Sequence, residues 1–327
     1  YIVDVFQDNT SKIWLGTWGK GLSVFSPKAN LFHHRNFSND LFTVDFFDQD
    51  NAGNVWFISQ QSELSIFDES SLTATPVVKI DDEIFQFKIS SDNIVWIYAL
   101  TGNLHRYDIE KGSLETLENW YEQTYYNDLY PFVVAGDYLW YINDDQKLVH
   151  YGLKNQTNIL FPEASSVNAI NYYHYKKGNE LWVVTDNNRL ISINLTTLVQ
   201  EIHEFRTPEN YAFSSVTSLA VSESNIWLGS EQGVLLIERS NRQVTLFNNS
   251  EVVTSKNISS ILVDESEAAW ISANNKIVHI SPKNKRVITY GQSFNLFDNQ
   301  FINQSALIST NNNIYLGGMN GFHYFDP

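Results

Sequence analysis

Cysteine is absent from this 327-residue sequence, and long apolar runs are absent as well. Without cysteine the chain can form neither disulfides nor Cys-ligated metal centres. The absence of cysteine is compatible with both oxidising and reducing cellular compartments. No apolar run approaches the roughly 18 residues that a membrane-spanning helix needs. No signal peptide precedes the strand-like segment that starts at Tyr1, so we expect the chain to be part of a longer protein.

Basic residues are also scarce. The sequence has 37 Asp and Glu against 21 Lys and Arg, which gives a formal net charge of −16. A surface of this sign repels phosphate backbones and anionic lipid headgroups. We therefore expect neither nucleic acid nor an anionic membrane surface as a partner.

What the sequence does contain is one hairpin pattern repeated eight times. Its first copy is residues 12–25, KIWLGTWGKGLSVF, in which an apolar segment with a Trp is followed by a Gly-containing turn and an alternating segment. Successive copies are 42, 40, 44, 42, 45, 43 and 45 residues apart, which indicates a repeat architecture. The anchoring aromatics are Trp14, Trp56, Trp96, Trp140, Trp182, Trp227, Trp270 and Tyr315.

Each hairpin is preceded by a short apolar segment, and seven of the eight are followed by a fourth strand-like segment. Four antiparallel strands per period of 40–45 residues are typical of a β-propeller. We predict an all-β, single-domain propeller over residues 1–327 with eight blades; seven blades plus one additional unit is the alternative. The units span approximately 1–40, 41–80, 81–118, 119–162, 163–206, 207–248, 249–291 and 292–327.

The last unit is incomplete, because the sequence reaches Pro327 before a fourth strand. We expect residues outside the sequence to supply that strand, or the last blade to keep three strands. The repeated aromatics lie mid-strand among apolar neighbours, which predicts packing between blades. Gly16, Gly229 and Gly317 each follow an anchoring aromatic by two residues and are interpreted as close-packing or bulge positions.

The segments IWLGTWGKGLSVFSP, NIWLGSEQGV and FNLFDNQFINQSALISTNNNIYLGGMNGFHYFDP resemble the two-component regulator propeller repeat. That family forms the extracytoplasmic sensor portion of bacterial hybrid histidine kinases and related membrane signalling proteins, including some with diguanylate cyclase outputs. The resemblance implies a periplasmic location, as part of an inner-membrane protein. It also implies a neighbouring propeller and an immunoglobulin-like domain in the same protein, and it leaves a homodimer of the full-length sensor open. Units three, four and five depart from the L-G-T that usually follows the Trp, and no residue-level ligand motif is transferred.

Motifs of propeller enzymes are missing from the sequence. Neither the S-x-D-x-G-x-T-W box of sialidases nor the A-x-D-x-x-T-G-x-x-x-W motif of quinone-dependent dehydrogenases occurs. Residues 48–53, DQDNAG, weakly resemble a calcium loop but lack its bidentate Glu, so an Asx turn is the preferred interpretation. Histidines on third strands are interpreted as packing or surface residues: His105, His150, His279 and His323. We expect no enzyme activity, no cofactor and no metal.

Three connections on one predicted rim combine aromatic residues with amides, acids or a basic residue. This combination suits sugar rings, whose apolar faces stack while their hydroxyls find polar partners. The alternative is that these aromatic rings bury one another over the channel mouth. The predicted ligand-binding residues are Trp18, Lys20, Trp120, Tyr121, Tyr125, Tyr126, Arg206, Asn210 and Tyr211.

The sequence thus favours a non-catalytic sensor propeller that binds a small molecule or oligosaccharide and relays the event to a cytoplasmic output domain. The alternative is an interaction scaffold that docks a neighbouring propeller or another protein, with the ligand bound elsewhere. A glycan-active enzyme is disfavoured, because no pair of catalytic carboxylates is evident.

Overall fold

A computed structural model describes residues 1–9, 12–25, 31–37, 42–59, 62–118, 120, 132–135, 138–142, 148–155, 157–160, 174–184, 189–205, 208, 216–248, 258–294 and 296–327. Almost all regular structure in these residues is β-strand; the helical segment among them is the short 3₁₀ turn Gln292–Phe294. Within this part of the chain, no helix has the length and apolar character needed to cross a membrane.

The described strands follow the repeat predicted from the sequence. In chain order they are β1 (Ile2–Gln7), β2 (Ile13–Thr17), β3 (Gly21–Phe25), β4 (His33–Arg35), β5 (Val44–Gln49), β6 (Val55–Ser59), β7 (Glu63–Asp68), β8 (Thr73–Lys79), β9 (Ile84–Ile89), β10 (Ile94–Ala99), β11 (Leu104–Asp108), β12 (Ser113–Leu117), β13 (Val133–Ala135), β14 (Tyr138–Ile142), β15 (Leu148–Gly152), β16 (Thr157–Leu160), β17 (His174–Lys177), β18 (Glu180–Val184), β19 (Arg189–Asn194), β20 (Gln200–Glu204), β21 (Val216–Val221), β22 (Asn225–Ser230), β23 (Gly233–Glu238), β24 (Val244–Phe247), β25 (Ile258–Val263), β26 (Ala269–Ala273), β27 (Lys276–Ser281), β28 (Arg286–Tyr290), β29 (Phe301–Ile308), β30 (Ile314–Gly318) and β31 (Gly321–Phe325).

Seven four-stranded antiparallel sheets are present in the described residues, together with a three-stranded sheet formed by β1, β2 and β3. Six of the seven run through four consecutive strands, from β5–β8 to β25–β28. The seventh has the order β29-β30-β31-β4. The β-propeller class predicted from the sequence is confirmed by this series of four-stranded sheets.

The four-stranded sheets form a closed ring. Seven hydrophobic clusters of buried residues each join one sheet to the next, and the last joins β29–β31 back to β5–β8. First strands of consecutive sheets contact each other, for example β25 with β29 and β29 with β5. These first strands therefore line the centre of the ring, and the fourth strands lie at its outside.

The repeated aromatic of each ring sheet packs towards the following sheet. Trp227, whose side chain is 0% exposed, shares a cluster with Ile258 and Ile261 of the next sheet. Tyr315 is equally buried and packs with Phe47 across the closing interface. The prediction that these residues form the inter-blade core is confirmed for the seven aromatics in the ring. Each contributes the apolar area and shape that hold two sheets together.

Glycine two residues after the aromatic is required by the same interface. A Cβ on Gly229 would overlap the Ser218 hydroxyl and lie 2.7 Å from Cγ2 of Ile258 in the next sheet. A Cβ on Gly317 would overlap the Val44 carbonyl oxygen, which belongs to the next sheet around the ring. The close-packing interpretation of these two glycines is confirmed.

Polar side chains of first strands bind the backbone of the neighbouring first strand. Thr217 donates a hydrogen bond to the Ile258 carbonyl at 2.8 Å, and Ser305 donates one to the Val44 carbonyl at 2.8 Å. Gln86 accepts one from the Phe132 amide at 2.7 Å. Hydrogen bonds of this kind satisfy backbone groups that the sheets themselves leave unpaired. They fix the spacing of the blades around the centre.

The last blade is completed from within the chain, which corrects the expectation of an external or missing fourth strand. Strand β4 pairs with β31, with His34 opposite His323 and His33 opposite Tyr324. Phe32, just before β4, packs against Phe325 at 4.8 Å between ring centroids. A free edge on β31 would expose a row of backbone donors and acceptors, and β4 satisfies them. The ring is therefore closed by an early strand of the chain.

The first unit departs from the predicted eight-membered ring. Among the described side chains of β1, β2 and β3, none belongs to the seven clusters that join the ring sheets. Its contacts to the ring are peripheral: Arg286 donates a hydrogen bond to the Asn9 carbonyl at 2.9 Å, and the Lys12 ammonium lies 4.3 Å from the Phe294 ring centre. The ring of described sheets has seven members, and the fourth strand that would complete β1–β3 is used by β31 instead.

In the fifth unit, the strand-like segment that precedes the hairpin in the sequence, residues 167–172, lies outside the described residues. The strand that pairs with β18 is β17, His174–Lys177.

Candidate functional site

The centre of the ring contains a cavity of about 460 Å³. This volume falls in the range of about 300–1,000 Å³ that is usual for small-molecule sites. Its walls come from the first strands of six sheets, so each blade contributes only a few side chains. The lining residues are Phe46, Asp48, Gln86, Lys88, Ile89, Val133, Val134, Ser218, Leu219, Ser259, Ser260, Ile261, Leu262, Val263, Gln304, Ala306, Leu307 and Ile308.

Two charged side chains of opposite sign line this cavity. Asp48 Oδ2 accepts a hydrogen bond from the Ile89 amide at 2.8 Å, and Oδ1 accepts one from the Gln49 amide at 2.9 Å. Asp48 is thus engaged in joining β5 to β9. Lys88 lies on β9 and makes no ion pair with another described residue. Among the described lining residues, Lys88 is the charged one whose side chain makes no ion pair or hydrogen bond that would occupy it.

Two serine hydroxyls in the cavity wall are buried without a protein partner. Ser218 on β21 and Ser260 on β25 are each 4% exposed, and neither hydroxyl has a hydrogen-bond partner among the described residues. The adjacent Ser259, by contrast, donates to the Phe301 carbonyl at 3.3 Å. A buried polar group without a partner costs about 1–3 kcal/mol. The Ser218 hydroxyl lies beside Gly229 and Ile258, so it belongs to the interface between two blades.

Gln304 lines the same cavity from β29 with an unusual backbone. Its φ angle is 61°, in the left-handed region, and β29 is irregular in its pairing between Phe301 and Ala306. Non-glycine residues held in this region are disfavoured, and they are enriched at ligand sites. This irregularity of β29 places Gln304 in the cavity wall.

The end of the channel at which the first strands begin is acidic. Asp45 on β5 is half-buried, and burial followed by the charge of nearby Glu83 raises the pKa of its carboxyl. Glu83 immediately precedes β9, so both groups lie at the starts of neighbouring first strands.

The structure places the sequence-predicted ligand residues in three different situations. Trp18 and Lys20 lie in the β2–β3 turn of the three-stranded sheet, where the Trp18 side chain is 78% exposed, and they are not on the rim of the ring. Trp120 is half-buried and packs against Tyr98, Tyr141 and Tyr151. The others lie outside the described residues: Tyr121, Tyr125, Tyr126, Arg206, Asn210 and Tyr211.

Trp120, one of the predicted ligand-binding residues, packs against three tyrosine rings. Its ring centre lies 5.0 Å from that of Tyr141, 5.3 Å from that of Tyr151 and 5.7 Å from that of Tyr98. These rings belong to two adjacent sheets and share one hydrophobic cluster. Trp120 therefore packs at an interface between two blades, and its role in ligand binding stays a prediction.

The calcium-like segment at residues 48–53 forms an Asx turn that holds a tryptophan. Asp50 Oδ1 accepts from the amides of Ala52 and Asn54, and Oδ2 accepts from the Trp56 indole at 2.9 Å. The same six-residue spacing joins Asp264 to Trp270 at 2.8 Å and Asp8 to Trp14 at 2.8 Å. Both oxygens of Asp50 are used by protein donors, so the motif orients the indole.

The third-strand histidines pack as predicted. His150 lies 4.9 Å from the Trp140 ring and His279 lies 4.5 Å from the Trp270 ring. His323 on β31 is fully buried, and this burial lowers the pKa of its imidazole to about 3. None of the described residues that line the cavity is a histidine.

No sequence pattern singled out the lining residues Lys88, Ser218, Ser260 and Gln304. Their common signal is a polar residue embedded in an otherwise apolar first strand, as in VTSLAV and ISSILV. Because these residues differ from unit to unit, a search for the repeated pattern passes over them.

Solved structures with this fold include both signalling domains and an enzyme. The "extracellular domain of the putative hybrid two component system BT3049 from B. thetaiotaomicron" aligns with a TM-score of 0.68 and 19% identity over 100% of this chain and 45% of that chain. The "extracellular domain of the putative one component system BT4673" from the same organism gives 0.63 and 18% over 99% and 46%. Streptogramin B lyase gives 0.66 and 13% over 90% and 96%.

No protein-family model matches the sequence, and no curated protein matches it. The chain spans less than half the length of the two extracellular domains that it resembles. It has the β-propeller fold of extracellular domains from two-component and one-component systems, in agreement with the resemblance of its hairpins to the two-component regulator propeller repeat.

Proposed function

We propose that this chain is a non-catalytic, extracytoplasmic sensor propeller of a bacterial signalling protein, and that it binds a small polyhydroxylated or anionic molecule in its central channel. The observation that carries the proposal is a cavity of about 460 Å³ at the centre of the ring, whose described wall includes the polar residues Lys88, Gln304 and Ser260. A sugar or sugar acid supplies hydrogen-bond partners for polar side chains of this kind. Its apolar ring faces suit the aliphatic residues of β25 and β29.

The charge in the cavity narrows the ligand class. Lys88 has no ion-pair partner in the described structure, whereas Asp48 is occupied by two backbone amides. A ligand that carries a carboxylate or phosphate would pair with Lys88, and a charge-assisted hydrogen bond is about twice as strong as a neutral one. The acidic mouth formed by Asp45 and Glu83 would select against highly charged anions. A monoanionic oligosaccharide fits both features.

The cavity offers little for an enzyme. Among the described lining residues, Asp48 is the carboxylate-bearing one, and both of its oxygens are already bonded to amides. General acid–base catalysis needs a titratable group that reaches the substrate, and glycoside hydrolysis needs two carboxyl groups. This chemistry favours a sensor over a lyase or glycosidase, although streptogramin B lyase has the same fold.

Calorimetric titration with a panel of neutral and acidic oligosaccharides tests the proposal. We expect saturable binding of an acidic member, weakened at least about tenfold in Lys88→Ala, which corresponds to about 1.4 kcal/mol. Ser260→Ala should weaken binding by a similar or smaller factor. Lys283→Ala removes the same charge from an exposed position and serves as the matched control. Binding that survives Lys88→Ala and Ser260→Ala unchanged would place the ligand outside the channel and contradict the proposed site.

A further inference from the structure

The strand that closes the ring is short and rich in basic residues. Strand β4 consists of His33, His34 and Arg35, and each of them can carry a positive charge. The fourth strands of the other four-stranded sheets have four to seven residues. In the pairing of β4 with β31, His34 lies opposite His323. The seam that completes the ring therefore contains two histidines at directly opposed positions.

The two histidine rings lie in an aromatic and apolar environment. Their ring centres are 5.1 Å apart, and the His34 ring stacks on the Phe297 ring with 4.0 Å between centres. His323 is 0% exposed, and its ring centre lies 5.5 Å from that of Phe301 on β29. The residue paired with His323 on β30 is Leu316. A proton added to His323 would therefore place a charge where water is excluded, which is costly without an anionic partner.

The charged groups next to the pair in the chain do not supply such a partner. Arg35 follows His34 on β4 and adds a positive charge. Asp298 follows Phe297 in the loop on which His34 stacks, but it is exposed and accepts a hydrogen bond from Asn275 at 2.9 Å. Among the described residues, no ion pair with a carboxylate includes His34 or His323. Protonation of the pair would thus add positive charge beside positive charge.

The facing sheet β25–β28 places its acidic residues away from the pair. Register puts His279, Arg286 and Tyr290 on the side of β27 and β28 that meets the last blade. Burial raises the pKa of the Tyr290 phenol, so this group stays neutral in acid. The two acidic residues of the β25–β26 turn line a separate cavity together with Asp326, which follows the end of β31. Neither histidine of the pair lines that cavity.

Closure of β4 and protonation of the pair oppose each other. Burial, followed by the charge of His34, lowers the pKa of His323 to about 3, although the Phe297 backbone raises it in part. Burial also lowers the pKa of His34, against a hydrogen bond of 2.6 Å from Nε2 to the Asn320 carbonyl oxygen. In an open strand both pKa values return to about 6.5. Because the open state then binds more protons, the contribution of the pair to closure is complete above about pH 6.5 and is lost as the pH falls towards about 3.

We propose that β4 is an acid-released latch: protonation of His34 and His323 detaches β4 from β31 and opens the ring at its closing seam. The imidazolium rings and Arg35 then repel one another across the seam. Strand β31 is left with a free edge of unpaired backbone donors and acceptors. The chain continues from β4 into β5, so β4 ties the last sheet of the ring to the first, and its release removes that tie. Closure of the ring thereby depends on the pH of its surroundings.

Hydrogen exchange of the 327-residue chain, compared between about pH 7 and about pH 5, tests the latch. Protection factors are used because they remove the intrinsic pH dependence of amide exchange. For one histidine whose pKa is about 6.5 in the open strand and about 3 in the closed strand, the amides of β4 should lose protection about 25-fold. Strand β24 is the internal control, because it is the fourth strand of a sheet that contains no histidine, and its protection should stay constant.

Two variants separate the pair from the rest of the strand. The double change His34→Phe, His323→Leu removes both titrating rings and should make the protection of β4 independent of pH over this range. His33→Gln is the matched control, because His33 is exposed on the same strand and its ring stacks on Tyr324. This variant should keep the full pH-dependent loss of protection.

Histidine-ring NMR of the unmodified chain keeps the test decisive if the double variant fails to fold. The His323 ring should take up a proton only as β4 loses protection. A His323 ring that titrates near its ordinary pKa while β4 stays protected would overturn the proposal. So would protection of β4 that does not depend on pH, an equal loss of protection in β24, or a pH-dependent loss that persists in the double variant.

Discussion

Replacement of Asp50 by alanine tests whether the Asx turn at residues 48–53 stabilises the ring through Trp56. Asp50 is 6% exposed and accepts hydrogen bonds from the Ala52 amide, from the amide and side chain of Asn54 and from the Trp56 indole. Trp56 itself is 1% exposed, between the sheets β5–β8 and β9–β12. Removal of the Asp50 carboxylate leaves the indole nitrogen of Trp56 without a hydrogen-bond acceptor in the core.

The magnitude follows from these partners. A buried donor left unsatisfied costs about 1–3 kcal/mol, and a hydrogen bond to a charged group contributes about 1.5–3 kcal/mol. The amide of Ala52 is exposed enough to turn to water, so its loss adds little. We expect Asp50→Ala to lower the free energy of unfolding by about 3 kcal/mol, measured by urea denaturation and followed by tryptophan fluorescence.

Asp8→Ala is the matched control, because Asp8 makes the same bond to Trp14 in a sheet that joins no ring cluster. It should change the main transition by less than about 0.5 kcal/mol, as is usual for surface substitutions. A double-mutant cycle with Trp56→Phe isolates the indole bond. The cost of Asp50→Ala should fall by at least about 1 kcal/mol when Trp56 is already replaced by phenylalanine. Equal costs in both backgrounds, or an equal effect of Asp8→Ala, would refute the reasoning.

Three further predictions concern the core, a buried histidine and metal ions. Trp140→Ala should destabilise the protein by about 3–5 kcal/mol because the ring is 1% exposed, and a denaturation midpoint equal to that of the parent would contradict this. His323 is neutral in the folded state, since burial lowers its pKa to about 3. The unfolded chain binds more protons between that value and about 6.5, so stability should fall as the pH drops from about 7 to 5, by up to about 1.4 kcal/mol per pH unit. His323→Gln should flatten this dependence, and unchanged urea midpoints across that range in the parent would argue against it. EDTA should leave the melting temperature unchanged because protein donors occupy both oxygens of Asp50, and a decrease that calcium reverses would contradict this.

Much of the fold was predictable from the sequence because a blade repeats its physical demands. Every ring sheet buries both faces against its neighbours, so each copy needs a large aromatic at one strand position and alternating apolar residues around it. The predicted hairpin that is anchored by Trp56 is β6 and β7, Val55–Ser59 and Glu63–Asp68. The close packing at Gly229 and Gly317, each two residues after an anchoring aromatic, was predictable for the same reason.

The candidate site was much less predictable. Exposed aromatics were expected to mark it, yet Trp120 is part of an inter-blade cluster and Trp18 lies off the ring. The polar groups of the channel come from first strands of different blades, far apart in sequence, such as Lys88 and Ser260. Only the closure of the ring brings them to one cavity, so no local pattern could single them out.

The sequence by itself determined the repeat, the strand class and the aromatic core between consecutive blades, because side-chain packing is encoded locally in each unit. Only the tertiary structure decided how the ring is closed and how many described sheets it contains. Strand β4 follows β3 in the chain but pairs with β31, more than 280 residues away in the sequence. The hydrogen bonds of a strand edge come from the backbone, which is the same for every residue except proline. The sequence of β4 therefore does not specify which strand it pairs with.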